Sequence, residues 1–232
     1  MRVFCLLFLS FITLISCTKS GDFTLTGTVK GLKKGTIYLQ KIQDTVLVNL
    51  DSLVIDGNPD FEFATDLKEP QVLYLHLDKK DASEYDDRIL FFAEPGEISI
   101  TTSLKNFESF AAITGSQNQV KWQEFHKIND KFNDKNLDLI KDSFTAQKSG
   151  DQEAILKYDD SLNSLLQRRY RYTGNFAITN KEMPIAPYLV ITQIPDASVK
   201  YLDTIYKSLP VKMQASLYGE QLKELISSRT VE

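Results

Sequence analysis

Phe23-Thr24-Leu25-Thr26-Gly27-Thr28-Val29 alternates apolar and hydroxyl positions without a break. Successive side chains of an extended chain point to opposite faces, so this period of two reads as a strand with one buried and one polar side. Working outward, Gly31-Leu32-Lys33-Lys34-Gly35 makes a turn and Thr36-Ile37-Tyr38-Leu39-Gln40 begins a second strand. Residues 46–55 read as a third, closed by the turn formers Asp56-Gly57-Asn58-Pro59. Residues 60–64, 71–77 and 89–93 supply three more. Glu94-Pro95-Gly96-Glu97 turns the chain into Ile98-Ser99-Ile100-Thr101, and residues 110–114 add a last strand before Gly115. Seven or eight short antiparallel strands in residues 23–115 imply a β-sandwich or a partly open barrel.

Past Ser116 the period becomes helical. Phe125, Ile128, Phe132 and Leu139 make one apolar stripe on a polar helix, and Lys148-Ser149-Gly150-Asp151 ends it. Ile155, Tyr158, Leu162, Leu165 and Leu166 start a second stripe, so two antiparallel helices follow. Met183-Pro184-Ile185-Ala186-Pro187 opens a short apolar helix. Pro195-Asp196 starts another with Asp196 as its cap, and Leu217, Tyr218, Leu222, Leu225 and Ile226 form the final stripe. The fold class is therefore α+β, a β-domain over 23–115 followed by a helical domain over 116–232 packed on it. An exposed stripe of this length would aggregate, so Phe132→Asp is expected to cost several kcal/mol.

The chain of 232 residues carries 27 basic and 31 acidic side chains, a formal charge of −4. That mild acidity offers nucleic acid no general attraction, and no nucleic-acid partner is expected. Residues 1–16 stand apart: Arg2 is the one charge before an apolar run, the pattern of a secretory leader too short to span a bilayer. Leu14-Ile15-Ser16-Cys17 resembles the bacterial lipoprotein box. The resemblance implies cleavage between Ser16 and Cys17, lipidation of the Cys17 thiol, and a tether over 17–22. Several acyl chains give stable anchoring where one is marginal. The tether carries no acidic cluster of the kind that resembles surface-export signals, which points to an outer-membrane lipoprotein facing the periplasm. Cys5 leaves with the leader, so the mature chain is expected to hold no free thiol and to perform no disulfide exchange.

The strand and turn motifs carry a further resemblance. Phe23-Thr24-Leu25-Thr26-Gly27-Thr28-Val29, Gly35-Thr36-Ile37-Tyr38-Leu39, Asp51-Ser52-Leu53-Val54-Ile55-Asp56-Gly57 and Phe91-Phe92-Ala93-Glu94-Pro95-Gly96-Glu97-Ile98 resemble the domain of unknown function 4369 family. They are similar to the N-terminal region of lipid-anchored thioredoxin-like thiol–disulfide oxidoreductases of Bacteroidota. Leu217-Tyr218-Gly219-Glu220-Gln221-Leu222 looks like the segment preceding the thioredoxin domain there. The resemblance implies a thioredoxin-like protein as a partner class. With no Cys-x-x-Cys pair in this sequence, it transfers no redox residue, and the chain reads as either a free-standing accessory module or a shortened relic.

No catalytic set assembles from the sequence. Asp78, Asp81, Glu84, Asp86 and Asp87 make a charged loop, better read as a solvated hairpin tip than as a Ca²⁺ site, since the ligand spacing is irregular. Arg168-Arg169-Tyr170-Arg171-Tyr172 spreads over several helix faces instead of forming one stacking surface. His76, in an alternating strand, is expected at a polar rim. His126 has no second His or Cys nearby, and Trp122 reads as a packing anchor between sheet and helix. No cofactor or metal is expected. The leading expectation is a non-catalytic lipoprotein that binds or docks a partner. A thioredoxin-system accessory and a surface glycan binder stand as alternatives.

Overall fold

The computed structural model describes residues 21–43, 45–79 and 87–230. The leader, Ser16, Cys17, most of the tether and most of the charged loop after Asp78 lie outside the described residues. In chain order the elements are β1 (Phe23–Lys30), β2 (Lys34–Gln43), β3 (Val46–Asp56), β4 (Asp60–Thr65), β5 (Gln71–Asp78), β6 (Asp87–Ala93), β7 (Gly96–Ser103) and β8 (Ala112–Thr114). Then come α1 (Gln117–Ser149), α2 (Gln152–Thr179), α3 (Ile185–Gln193), α4 (Val199–Ser208), α5 (Val211–Gln214) and α6 (Leu217–Thr230).

Two four-stranded sheets, ordered β4-β1-β7-β8 and β3-β2-β5-β6, face each other as an open sandwich. The alternation is what fills it: Phe23, Leu25 and Val29 of β1, Phe61 and Phe63 of β4, and Ile98 and Ile100 of β7 are buried inward. Leu73, Leu75 and Leu77 of β5 and Ile89 and Phe91 of β6 close the core from the other sheet. Gly27 belongs to this packing, because a Cβ there would lie 2.1 Å from the Ile100 carbonyl oxygen and 2.4 Å from the Phe61 ring.

The sheets are not wholly antiparallel. β1 runs parallel to β7, with Leu25 opposite Ile98 and Gly27 opposite Ile100. A two-residue period specifies which face is buried and says nothing of direction. Here the chain crosses to the other sheet between these strands and comes back in the same sense.

Helices form a third layer on the outer face of the β3-β2-β5-β6 sheet. Val72 and Tyr74 of β5 and Leu90 and Phe92 of β6 point away from the sandwich and pack with Phe125, Ile185, Tyr188, Leu189 and Tyr218. The uninterrupted run Ile89-Leu90-Phe91-Phe92-Ala93 reflects this, since a strand covered on both faces has no polar side. α1 and α2 form the expected hairpin: Ser116 Oγ accepts from Gln119 N–H, Asp151 caps α2, and Gly150 takes a left-handed φ of 70° between them. Phe125 and Leu139 are buried on the expected stripe, whereas Ile128 and Phe132 are half-buried. The opposite face of α1 leaves Leu137 and Phe144 exposed.

One cap differs from expectation. α4 begins at Val199 under Ser198, whose Oγ accepts from Tyr201 N–H, and Asp196 stays outside the helix. Arg229 explains the delay: its guanidinium donates to the carbonyls of Pro195, Asp196 and Ala197 and holds that turn open while Ala197 is buried. Among the described residues no helix is long and apolar enough to cross a membrane.

Candidate functional site

The site grows out of a division in one sheet. β2 pairs with β5 from Thr36–Asp78 to Gln40–Tyr74 and no further, yet it continues beside β3 to Gln43–Val46. The β2–β3 register shifts between Leu39 and Gln40, where Leu50 is the extra residue. A bulge raises local twist, and from that point the β2–β3 ribbon turns away from β5. The space it leaves is a cleft of about 390 Å³ between Lys41, Ile42 and Gln43 on one side and Gln71, Val72 and Tyr74 on the other. Tyr188, Ile191 and Thr192 of α3 and Leu217, Tyr218 and Gln221 of α6 form its helical wall.

Strand polarity accounts for the bonds at the base. The Phe92 N–H points outward to Gln119 Oε1 at 2.9 Å. Opposite residues of an antiparallel pair turn their backbones the same way relative to each other, so Val72, facing Phe92, directs its N–H to where β2 would have continued. The Tyr218 hydroxyl takes that place, accepting from Val72 N–H at 2.7 Å. By the same alternation Ile42 turns its own backbone N–H and C=O toward the cleft.

Side chains of the sheet and the helices tie the walls together. Glu69 Oε2 accepts from Leu217 N–H at 2.8 Å at the start of α6. The Glu94 carboxylate accepts from Gln117 N–H and Asn118 Nδ2, and Asn118 Oδ1 accepts from Ile185 N–H at 3.1 Å. The free N–H groups at a helix start need acceptors: α1 and α6 find a carboxylate, which also suits the helix dipole, and α3 finds the Asn118 amide oxygen.

Three phenols govern the cleft's electrostatics. The Tyr188 and Tyr218 rings meet edge to face at 4.8 Å, and Tyr188 also contacts Phe92 and Trp122 at 5.7 and 5.2 Å. Burial raises all three pKa values; at Tyr218 the bond from Val72 opposes the rise, and at Tyr74 the charge of Arg88 does. They are neutral phenols at physiological pH. Gln43, Gln71, Gln221 and Thr192 add uncharged polar groups, and Lys41 a single cation. Such a lining suits recognition by hydrogen bonds over an apolar floor.

The residues singled out from sequence do not converge on this cleft. His76 stacks on Tyr38 at 5.7 Å, half-buried on β5. His126 lies 4.6 Å from the Trp122 ring, with Nδ1 3.5 Å from Asp130, and Trp122 packs between α1 and α3. The Arg168–Tyr172 run disperses as expected. Arg169 donates to the Gln193 carbonyl, Tyr172 donates to the Phe125 carbonyl from the aromatic core, and Arg171 is exposed. Tyr170 is pushed up to about 12, chiefly by burial and then by Asp196. Asp78 and Asp87 end their strands, and Lys79 pairs with Asp87 at 2.5 Å. No group of three metal-ligating side chains occurs among the described residues. Tyr188, Tyr218, Gln71 and Gln221 were not legible as a site; the available signal was Val72 and Tyr74 as apolar residues on the wrong parity of β5.

The family model described as domain of unknown function (DUF4369) matches residues 23–122, the sandwich and the first turns of α1. No curated protein and no solved structure matches the chain.

Proposed function

From the match of residues 23–122 to the DUF4369 family model, we propose that this chain is a periplasm-facing lipoprotein whose folded part binds or docks a partner. The observation that carries the reading is the cleft at the divided sheet: neutral phenols, amides and an open strand backbone around an apolar floor. These groups hold a ligand by shape and hydrogen bonding, and none of them is a ready nucleophile or a proton donor near neutrality. Cys17, with the leader before it, supplies the anchor in this reading, and a thioredoxin-like protein is the partner class that the family resemblance suggests.

A glycan-binding reading is less favoured. Trp122 and Tyr188, the natural stacking platforms, are packed against each other, and the exposed large aromatics Phe110 and Phe144 lie apart on a loop and a helix.

Two measurements test the proposal. Wild-type protein is expected to partition into detergent and to incorporate a palmitate analogue, and Cys17→Ala to do neither; labelling of the variant would refute the anchor. For the cleft, a photo-crosslinking side chain at Gln221 is expected to capture a protein in the cell envelope, whereas the same group at the exposed Val211 captures none. Equal capture at both positions would remove the cleft from the proposal.

A further inference from the structure

The four edges of the two sheets are not treated alike. β8 is only three residues long, and β4 carries the exposed charges Asp60 and Glu62. At β6 the outward Phe92 N–H is bonded by Gln119 of α1. Short length, charge and coverage are the usual protections of a sheet edge. β3 is eleven residues long and has β2 as its one strand neighbour among the described residues. Asp51 and Asp56 charge its far half, but Val46-Leu47-Val48-Asn49-Leu50 has no charge and no proline. All five residues are exposed, and Val46, Leu47, Val48 and Leu50, with Ile42 opposite Leu47, form an apolar set over the two faces of the ribbon, interrupted by the Asn49 amide, with Val46 at 64% and Ile42 at 54%.

We infer that this edge is an interface between two copies of the chain, paired antiparallel through β3 about a two-fold axis at Val48. This goes beyond the binding role of the cleft and does not depend on it. Strand geometry supports the register. Lys41 and Gln43 pair with Val48 and Val46, so Val46 and Val48 turn their backbones to β2, and Leu47 and Asn49 turn theirs outward. An axis at Val48 sets Leu47 opposite the copy's Asn49 and Val46 opposite its Leu50, and the outward N–H and C=O groups bond in reciprocal pairs. The pairing meets no like-charge repulsion, because the stretch is uncharged, and the two-fold axis sets Val48 against its own copy. A foreign strand would gain the same backbone bonds but has no reason to match an apolar set presented on both faces of the ribbon. The bulge at Leu50 limits the pairing to this stretch.

Sedimentation equilibrium of the full chain in density-matched detergent tests the inference, with a dimer of the 26.4 kDa chain expected. Val46→Lys and Val48→Lys, both at exposed positions, are expected to weaken it at least about tenfold each, while Val54→Lys, beyond the bulge, leaves it intact. Far-ultraviolet dichroism checks that each variant is folded. With Cys5 and Cys17 replaced by Ala, Val48→Cys is expected to crosslink to its copy, because non-hydrogen-bonded partners lie within disulfide reach. Val54→Cys is expected to remain reduced. A monomer at every concentration, a dimer indifferent to both lysines, or crosslinking through Val54→Cys instead would overturn the inference. Protection of the Leu47 and Asn49 amides from exchange in a monomer would overturn it too, by showing the edge covered from within the chain.

Discussion

At the scale of single residues, Tyr218 is the most consequential side chain. Its ring is a wall of the cleft and its oxygen takes the place of a missing strand. Tyr218→Phe keeps the ring and leaves Val72 N–H without an acceptor in a buried position. The expected cost is about 1–3 kcal/mol, read from urea unfolding, with faster exchange of the Val72 amide. Unchanged stability and exchange would mean that another group serves the N–H. None of this was legible in sequence: Tyr218 sits on an ordinary helical stripe, and the residue it completes is 146 positions earlier. Periodicity tells which way a side chain faces within its own element, and a bond between distant elements leaves no periodic trace.

Elements were read more easily, because their signals are local. The strands β1, β4 and β7 and the α1–α2 hairpin follow from alternation, from a 3.6-residue period and from the break at Lys148-Ser149-Gly150-Asp151; the caps at Ser116 and Asp151 are the structure's addition. What failed at this scale was whatever another element decides: the parallel sense of β1 and β7, and the cap of α4, displaced from Asp196 to Ser198 by Arg229. The α1 stripe lies between these cases. Phe125 is fully buried among Tyr172, Phe176 and His126, whereas Phe132 is half-buried, 5.8 Å from Tyr172. Phe125→Ala is therefore expected to destabilise by about 3–5 kcal/mol, the range for emptying a buried aromatic site. Phe132→Asp is now expected to cost only about 1–2 kcal/mol, since water reaches one side of the ring. Thermal melts of the two variants compare them directly, and equal losses would show that the stripe is buried along its whole length.

At the scale of the whole molecule, the joint between sandwich and helices depends on uncharged phenols. Tyr188 and Tyr218 have folded pKa values above the ordinary 10.0, raised mainly by burial, and Tyr74 and Tyr172 shift the same way. The unfolded chain ionises these groups first as alkali is added, so the folded state holds more protons above pH 10. Stability is thus full below that value and falls as pH rises toward the folded pKa values. Urea midpoints are expected to be flat across neutrality and to drop above about pH 10. Tyr188→Phe, which has no ionisable group to lose, should drop less steeply. An unchanged slope in that variant would place the alkaline loss elsewhere.

The Val72–Tyr218 bond also sets an order of events. Polypeptides are made from the amino end, so β5 is complete long before residue 218 exists. Joining positions 146 apart in an unstructured chain costs about 4 kcal/mol of loop-closure entropy, and the packing of the strands and helices between them offsets most of it before α6 docks. Until then the notch beside β5 is an open seam with an apolar lip and an N–H facing water. α6 therefore acts as a latch, and the cleft exists in its final shape only in molecules in which that helix has docked. Anything that recognises the closed cleft is, by that fact, also sorting molecules with α6 docked from those without it.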